Sequence, residues 1–146
     1  MGIRFTVVGV VLAVALFAFA LAEQTLDDLI NRAQTARAEE QPSLYVQIAE
    51  RKLAMADEHY TAGKVEEARA AVSEVVAYSD KATQAATKTG KKLKPTEIAV
   101  RKMAARLRDI KRSLNFEDQA PVEAAAESLE KMRTQLLSRM FGSKEH

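Results

Sequence analysis

Residues 95–114 read PTEIAVRKMAARLRDIKRSL, and this stretch has the clearest helical period in the chain. Its apolar residues recur at alternating steps of three and four: Val100, Met103, Leu107, Ile110 and Leu114. A helix turns by about 100° per residue, so this spacing places all of them on one side. The stretch is therefore predicted to be an amphipathic helix that packs one face against neighbouring helices.

Similar spacing on both sides of this stretch predicts four more helices. Their approximate ranges are 26–38, 43–62, 64–87 and 118–141. Ser43 and Asp118 are predicted N-caps, and Gly63 and Gly90 are predicted to end helices. No helix is apolar all round, and the connections are short, so consecutive helices should be antiparallel. The predicted fold class is all-α, with about five helices forming a small antiparallel helical bundle or stacked helical hairpins.

The N-terminus has the pattern of a secretory signal. Arg4 precedes an uncharged run from Phe5 to Ala22, which ends in Ala20-Leu21-Ala22. A basic start, an apolar centre and small residues before the cleavage point are typical of signal peptides, so we expect cleavage after Ala22 and an exported, periplasmic or secreted product. The alternative is an uncleaved membrane anchor, because about 18 apolar residues reach roughly 27 Å as a helix.

These patterns divide the chain into three parts. We expect a signal peptide over 1–22, a single helical domain over 23–142 and a frayed tail over 143–146. Within the domain, the predicted units are a hairpin at 43–88, a hinge at 89–95 and a hairpin at 96–141.

The composition offers few groups for catalysis. The chain has no cysteine, which excludes disulfides and cysteine-bound metals, and its two histidines are His59 and His146. Neither has partners at the spacing of a metal site, and no serine or threonine has a plausible histidine partner. The sequence therefore predicts a non-enzymatic protein with no catalytic, cofactor-binding or metal-binding residues.

Charge is concentrated in one region. Residues 88–112 contain ten basic and two acidic residues, whereas residues 23–87 contain seven basic and twelve acidic ones. The basic residues on the polar side of the fourth predicted helix form the candidate binding surface: Arg101, Lys102, Arg106, Arg108, Lys111 and Arg112. They are expected either to pair with acidic residues of the preceding hairpin, namely Glu66, Glu67 and Glu74, or to bind an external polyanion.

Residues 55–68, MADEHYTAGKVEEA, resemble the turn region of a tetratricopeptide (TPR) repeat. The matching positions are two small residues, an aromatic and a turn glycine: Ala56, Ala68, Tyr60 or His59, and Gly63. The resemblance covers about 25 residues and a single repeat. It implies a tight antiparallel hairpin and favours a role in binding proteins.

Taken together, these patterns predict an exported, non-enzymatic interaction module. We expect it to bind another cell-envelope protein through the groove of its hairpins or through the basic fourth helix. One alternative is a periplasmic holdase, since the chain is similar to small helical chaperones of the Spy type in its signal peptide, size and lack of cysteine. Another is a membrane-anchored protein whose basic face binds an anionic membrane or polymer surface. Nucleic acid is not an expected partner, and the sequence does not indicate the oligomeric state.

Overall fold

Five α-helices follow one another within residues 25–142, the part of the chain that the computed structural model describes. Their bounds are 25–35 for α1, Gln41–Thr61 for α2, Val65–Thr89 for α3, Leu93–Arg112 for α4 and Phe116–Phe141 for α5. No strand occurs in this range. The prediction of a small all-α bundle with about five helices is confirmed.

Two sequence predictions fall elsewhere in the chain. The signal peptide over 1–22, with its cleavage after Ala22, and the tail over 143–146 lie outside the described residues. Among residues 25–142, none of the helices combines the length and the apolar character needed to cross a membrane.

Both predicted N-caps are wrong, those of α2 and α5. The N-cap of α2 is Glu40, so Ser43 lies within the helix, and Pro42 occupies the first turn. Proline fits there because its φ is already helical and its missing N–H would have no partner. The N-cap of α5 is Asn115, which leaves Asp118 in the first turn. There its carboxylate faces the positive end of the helix dipole instead of capping the helix.

The connections between α2, α3, α4 and α5 are each three residues long, at 62–64, 90–92 and 113–115. Gly63 and Gly90 adopt left-handed backbone conformations, with φ of 76° and 70°, which glycine adopts without a steric penalty. Lys92 is also left-handed, with φ of 60°. These tight turns fold α2 back on α3 and α4 back on α5, and the hinge predicted over 89–95 is shorter than expected because α4 begins at Leu93.

The two hairpins pack against each other. Contacts are most extensive within the hairpins α2–α3 and α4–α5, and α3–α5 and α2–α4 contacts join them. The main core includes the regularly spaced apolar residues of α4, with Val100, Met103, Leu107 and Ile110 all buried. Helix α1 packs outside this core, where its buried residues Leu29 and Ala33 contact a smaller apolar cluster that includes Ile48 of α2.

Candidate functional site

The basic residues of α4 form ion pairs with two neighbouring helices. Lys111 Nζ lies 2.9 Å from Glu123 Oε2, and Arg108 Nη1 lies 3.1 Å from Glu130 Oε1, so both join α4 to α5. Arg106 pairs with Asp57 of α2. These cations therefore bind carboxylates of the same molecule on both sides of α4.

The other three residues of the predicted surface differ in their surroundings. Arg101 lies 3.7 Å from Glu97 on its own helix, and Arg112 pairs with Asp109 one turn away. Lys102 is exposed and forms no ion pair within residues 25–142. Five of the six predicted residues therefore have a carboxylate partner within the described residues.

Glu66, Glu67 and Glu74 are not the carboxylates that pair with α4, and this part of the prediction is wrong. Glu66 pairs with Arg69, and Glu74 pairs with Lys52 at 2.8 Å. The reason is topological: α4 folds back on α5 through a three-residue turn, which brings the carboxylates of α5 beside it.

Glu97 is the buried charge of the α4–α5 hairpin. Only 7% of its surface is exposed, and its Oε1 accepts a hydrogen bond from Arg133 Nε of α5 at 3.0 Å. A buried carboxylate requires such a partner, because burying an unpaired charge costs several kcal/mol. Glu97 and Arg133 therefore act as a structural tie between α4 and α5.

Glu123 shows the electrostatic effect of these pairs. The hydrogen bond from Lys111, together with the positive charges of Lys111 and Arg108, lowers the pKa of Glu123 below its ordinary value. The Glu123 carboxylate is consequently charged at neutral pH, and it neutralises part of the basic cluster on α4.

A groove between α3 and α5 is the second candidate site. It has a volume of about 490 Å³ and combines small and apolar side chains with a single charged one. The lining residues are Arg69, Val72, Ser73, Val76, Ala77, Pro121, Ala124, Ala125 and Ser128. Because most of these side chains are short, the two helices leave a trough whose floor is apolar.

Arg69 lies at one end of this groove, in the first turns of α3. Its side chain is 41% exposed and its Nη1 lies 3.7 Å from Glu66, while its Nε is buried without a hydrogen-bond partner within the described residues. The hydroxyl of Tyr60 is buried and unpartnered in the same way. Burial raises the pKa of Tyr60 above its ordinary value, an effect that the charge of Arg69 opposes and that of Asp118 strengthens.

The sequence predicted binding in a groove of the hairpins but not the position or the lining of this groove. Because alanine counts as an apolar residue, apolar spacing does not distinguish the exposed alanines at 77 and 124 from buried ones. A second pattern was available: small residues recur on α3 at 73 and 77 and on α5 at 124 and 128, at steps of four. Two facing rows of small side chains indicate a shallow trough.

No metal site is formed by the described residues. Within residues 25–142, His, Asp and Glu side chains form no group of three that could hold a metal ion. His59 is half-buried in the last turn of α2.

Comparisons of the chain with models of known protein families, with curated proteins and with solved structures give no match.

Proposed function

We propose that this chain is an exported helical protein without enzymatic activity of its own, which binds a partner protein of the cell envelope in the groove between α3 and α5. The observation that supports the proposal is the lining of that groove, an apolar floor with one partly exposed cation, Arg69, at its end. An apolar trough with one polar group is a common form of peptide-binding site, because the trough supplies affinity and the polar group fixes orientation.

The groove fits this role better than the basic side of α4. A polyanion that bound Arg108 or Lys111 would compete with Glu130 and Glu123, which already contact these cations. The groove requires no such exchange, since its apolar side chains gain free energy when a partner displaces water from them. Export rests on the N-terminal sequence pattern and remains part of the proposal.

The lining predicts the chemistry of the partner. Small side chains on both walls admit one row of apolar side chains, such as one face of an amphipathic helix. The exposed part of the Arg69 guanidinium would then contact a carboxylate or carbonyl of the partner. We therefore expect an apolar segment with an acidic residue near one end.

Photo-crosslinking in the native host tests the proposal. A crosslinking residue at Ser73, an exposed position in the groove, should give one discrete adduct with an envelope protein, identified by mass spectrometry. Adding Ala77→Arg should abolish this adduct, because the long side chain fills the groove. The matched control is Ala54→Arg, at an exposed alanine of α2 outside the groove, and it should leave the adduct unchanged.

Other outcomes would contradict this function. An adduct that persists in Ala77→Arg would show that the groove does not bind the partner. A discrete adduct from position 108 and none from position 73 would transfer the function to the basic side of α4. A broad series of exported proteins crosslinked at position 73 would instead indicate a chaperone-like holdase.

A further inference from the structure

The solvent-facing side of α5 has an unusual surface, which we call the outer face of α5. It consists of seven exposed residues that lie along the helix on the side away from the core: Phe116, Ala120, Glu127, Lys131, Thr134, Ser138 and Phe141. The face adjoins the α3–α5 groove but shares no residue with it, because the groove is lined on α5 by Pro121, Ala124, Ala125 and Ser128.

Both ends of the outer face carry an exposed aromatic. Phe116 is 87% exposed and Phe141 is 60% exposed, and they are the large hydrophobic residues that the described part of the chain leaves exposed. They are 25 residues apart, from 116 to 141, or about 37 Å along the helix at 1.5 Å per residue. A single partner that covers both aromatics must therefore be about as long as α5 itself.

The middle of the face carries two charges without partners. Glu127 and Lys131 form no ion pair within residues 25–142, although Glu123 and Glu130 on the same helix both pair with α4. The unpartnered charges are of opposite sign and lie one turn apart, on either side of the midpoint between the two aromatics.

The types of residue on the outer face of α5 follow nearly the same order in both directions along the helix. Inward from Phe116 come the small residue Ala120 and then the charge of Glu127. Inward from Phe141 come the short polar residues Ser138 and Thr134 and then the charge of Lys131. Glu127 is 11 residues from Phe116 (116 to 127), and Lys131 is 10 residues from Phe141 (131 to 141). The one-residue difference amounts to about 1.5 Å along the helix.

We propose that the outer face of α5 binds a second copy of this chain, with the two α5 helices antiparallel about a two-fold axis. Phe116 then meets Phe141 of the second copy at each end, and small residues allow the helices to approach between them. Glu127 faces Lys131 of the second copy, and the two-fold axis produces this ion pair twice. Opposite charges that meet in this way fix register and orientation, which supports a second copy as the occupant.

Sedimentation of the purified protein, from about 1 µM to about 500 µM, tests this proposal. The wild-type chain should show a monomer–dimer equilibrium, with a small interface that dissociates on dilution. Glu127→Lys and Lys131→Glu should each weaken the dimer by about tenfold or more, because each places like charges together at two symmetric contacts. The double variant E127K/K131E should restore dimerisation to within about threefold, since it exchanges the two charges without removing them.

The matched control is Lys102→Glu, at an exposed and unpaired lysine of α4, which should not change the dimer. Phe116→Ala should weaken dimerisation without altering the charges. A chain that is monomeric at every concentration, or a dimer that is insensitive to Glu127→Lys, would overturn the proposal. So would a double variant that fails to dimerise, because opposite charges that meet between copies pair equally well after they are exchanged.

The experiment is independent of the proposed groove function. Ala77→Arg should leave sedimentation unchanged, and Glu127→Lys should leave the crosslink from Ser73 unchanged, so that either proposal can fail without the other.

Discussion

The two hairpins bury different kinds of residue. The α2–α3 hairpin is closed mainly by small side chains: Ala49, Ala56, Ala68, Ala71, Ala82 and Ala86. The α4–α5 hairpin buries longer ones: Met103, Leu107, Ile110, Leu129, Met132 and Leu136. It also has ion pairs from α4 to α5 through Glu97, Arg108 and Lys111, whereas Lys52–Glu74 joins α2 to α3.

The difference shows two ways to hold antiparallel helices together. Small residues let two helices approach closely, so that many contacts form between their backbones. No space is then left for a larger side chain. Long aliphatic side chains fill a wider space, and charged side chains at its edge then reach the facing helix. The stability of the α2–α3 hairpin should therefore fall when a buried side chain is enlarged. The stability of the α4–α5 hairpin should fall when one member of an ion pair is removed.

Ala56→Leu should have the largest effect in this comparison. Ala56 is fully buried in the main core, so three added carbons must displace neighbouring atoms. We expect a loss of about 2–3 kcal/mol in the free energy of unfolding, measured by urea denaturation. Ala54→Leu, at an exposed alanine of the same helix, should change stability by less than about 0.5 kcal/mol. Equal effects of the two substitutions would contradict the close packing of α2 and α3.

Glu97→Ala should have the next largest effect. It removes the buried acceptor of Arg133 Nε, and hydrogen bonds to charged groups contribute about 1.5–3 kcal/mol. Because Arg133 is partly exposed and keeps water and Glu130 as alternative partners, we expect the lower end of that range, about 1.5 kcal/mol, by the same urea measurement.

Glu74→Ala is the matched control in the first hairpin. Glu74 is about half exposed, so the loss of its pair with Lys52 should cost less than about 1 kcal/mol. If Glu74→Ala costs as much as Glu97→Ala, the second hairpin does not depend more strongly on its ion pairs than the first.

Tyr60→Phe should have the smallest effect and the opposite sign. It removes a buried hydroxyl without a hydrogen-bond partner, so we expect a gain of up to about 1 kcal/mol. The substitution should also change the pH dependence of unfolding. Burial raises the pKa of Tyr60 in the folded state above its ordinary value of about 10. The contribution of protonated Tyr60 to stability is therefore fully present below pH 10, and it is lost as the pH rises through the folded-state pKa.

Urea unfolding at pH 7 and near pH 11 measures this difference. The wild-type chain should lose more stability than Tyr60→Phe between the two pH values, and equal losses would show that Tyr60 does not titrate from a buried position. Tyr45→Phe, which alters a half-buried tyrosine of α2 in the smaller cluster, is the control.

The sequence predicted the positions of the helices better than it predicted which charged side chains pair with each other. The period of α4 and the turn glycines gave the number and order of helices, because apolar spacing and left-handed glycines act locally. The predicted N-caps Ser43 and Asp118 were wrong because several nearby residues can begin a helix, and the N-caps are Glu40 and Asn115.

The carboxylates that pair with the predicted basic surface could not be found from charge totals alone. Lys111 and Arg108 precede the turn at 113–115, so an antiparallel hairpin places them beside residues of α5 that follow the turn. Glu123 and Glu130 satisfy that condition, and Glu66, Glu67 and Glu74 do not. Connection lengths, which the sequence predicted only approximately, determine which charges meet.

The three-residue connections also bear on how quickly the chain can fold. The largest interfaces, α2 with α3 and α4 with α5, join neighbours in sequence, so little loop-closure entropy is lost before contacts form. Helical proteins with such local contacts fold in microseconds to milliseconds. All contacts between α2 and α3 can form once α3 is complete. A chain that emerges N-terminus first can therefore form this hairpin before α4 and α5 have emerged.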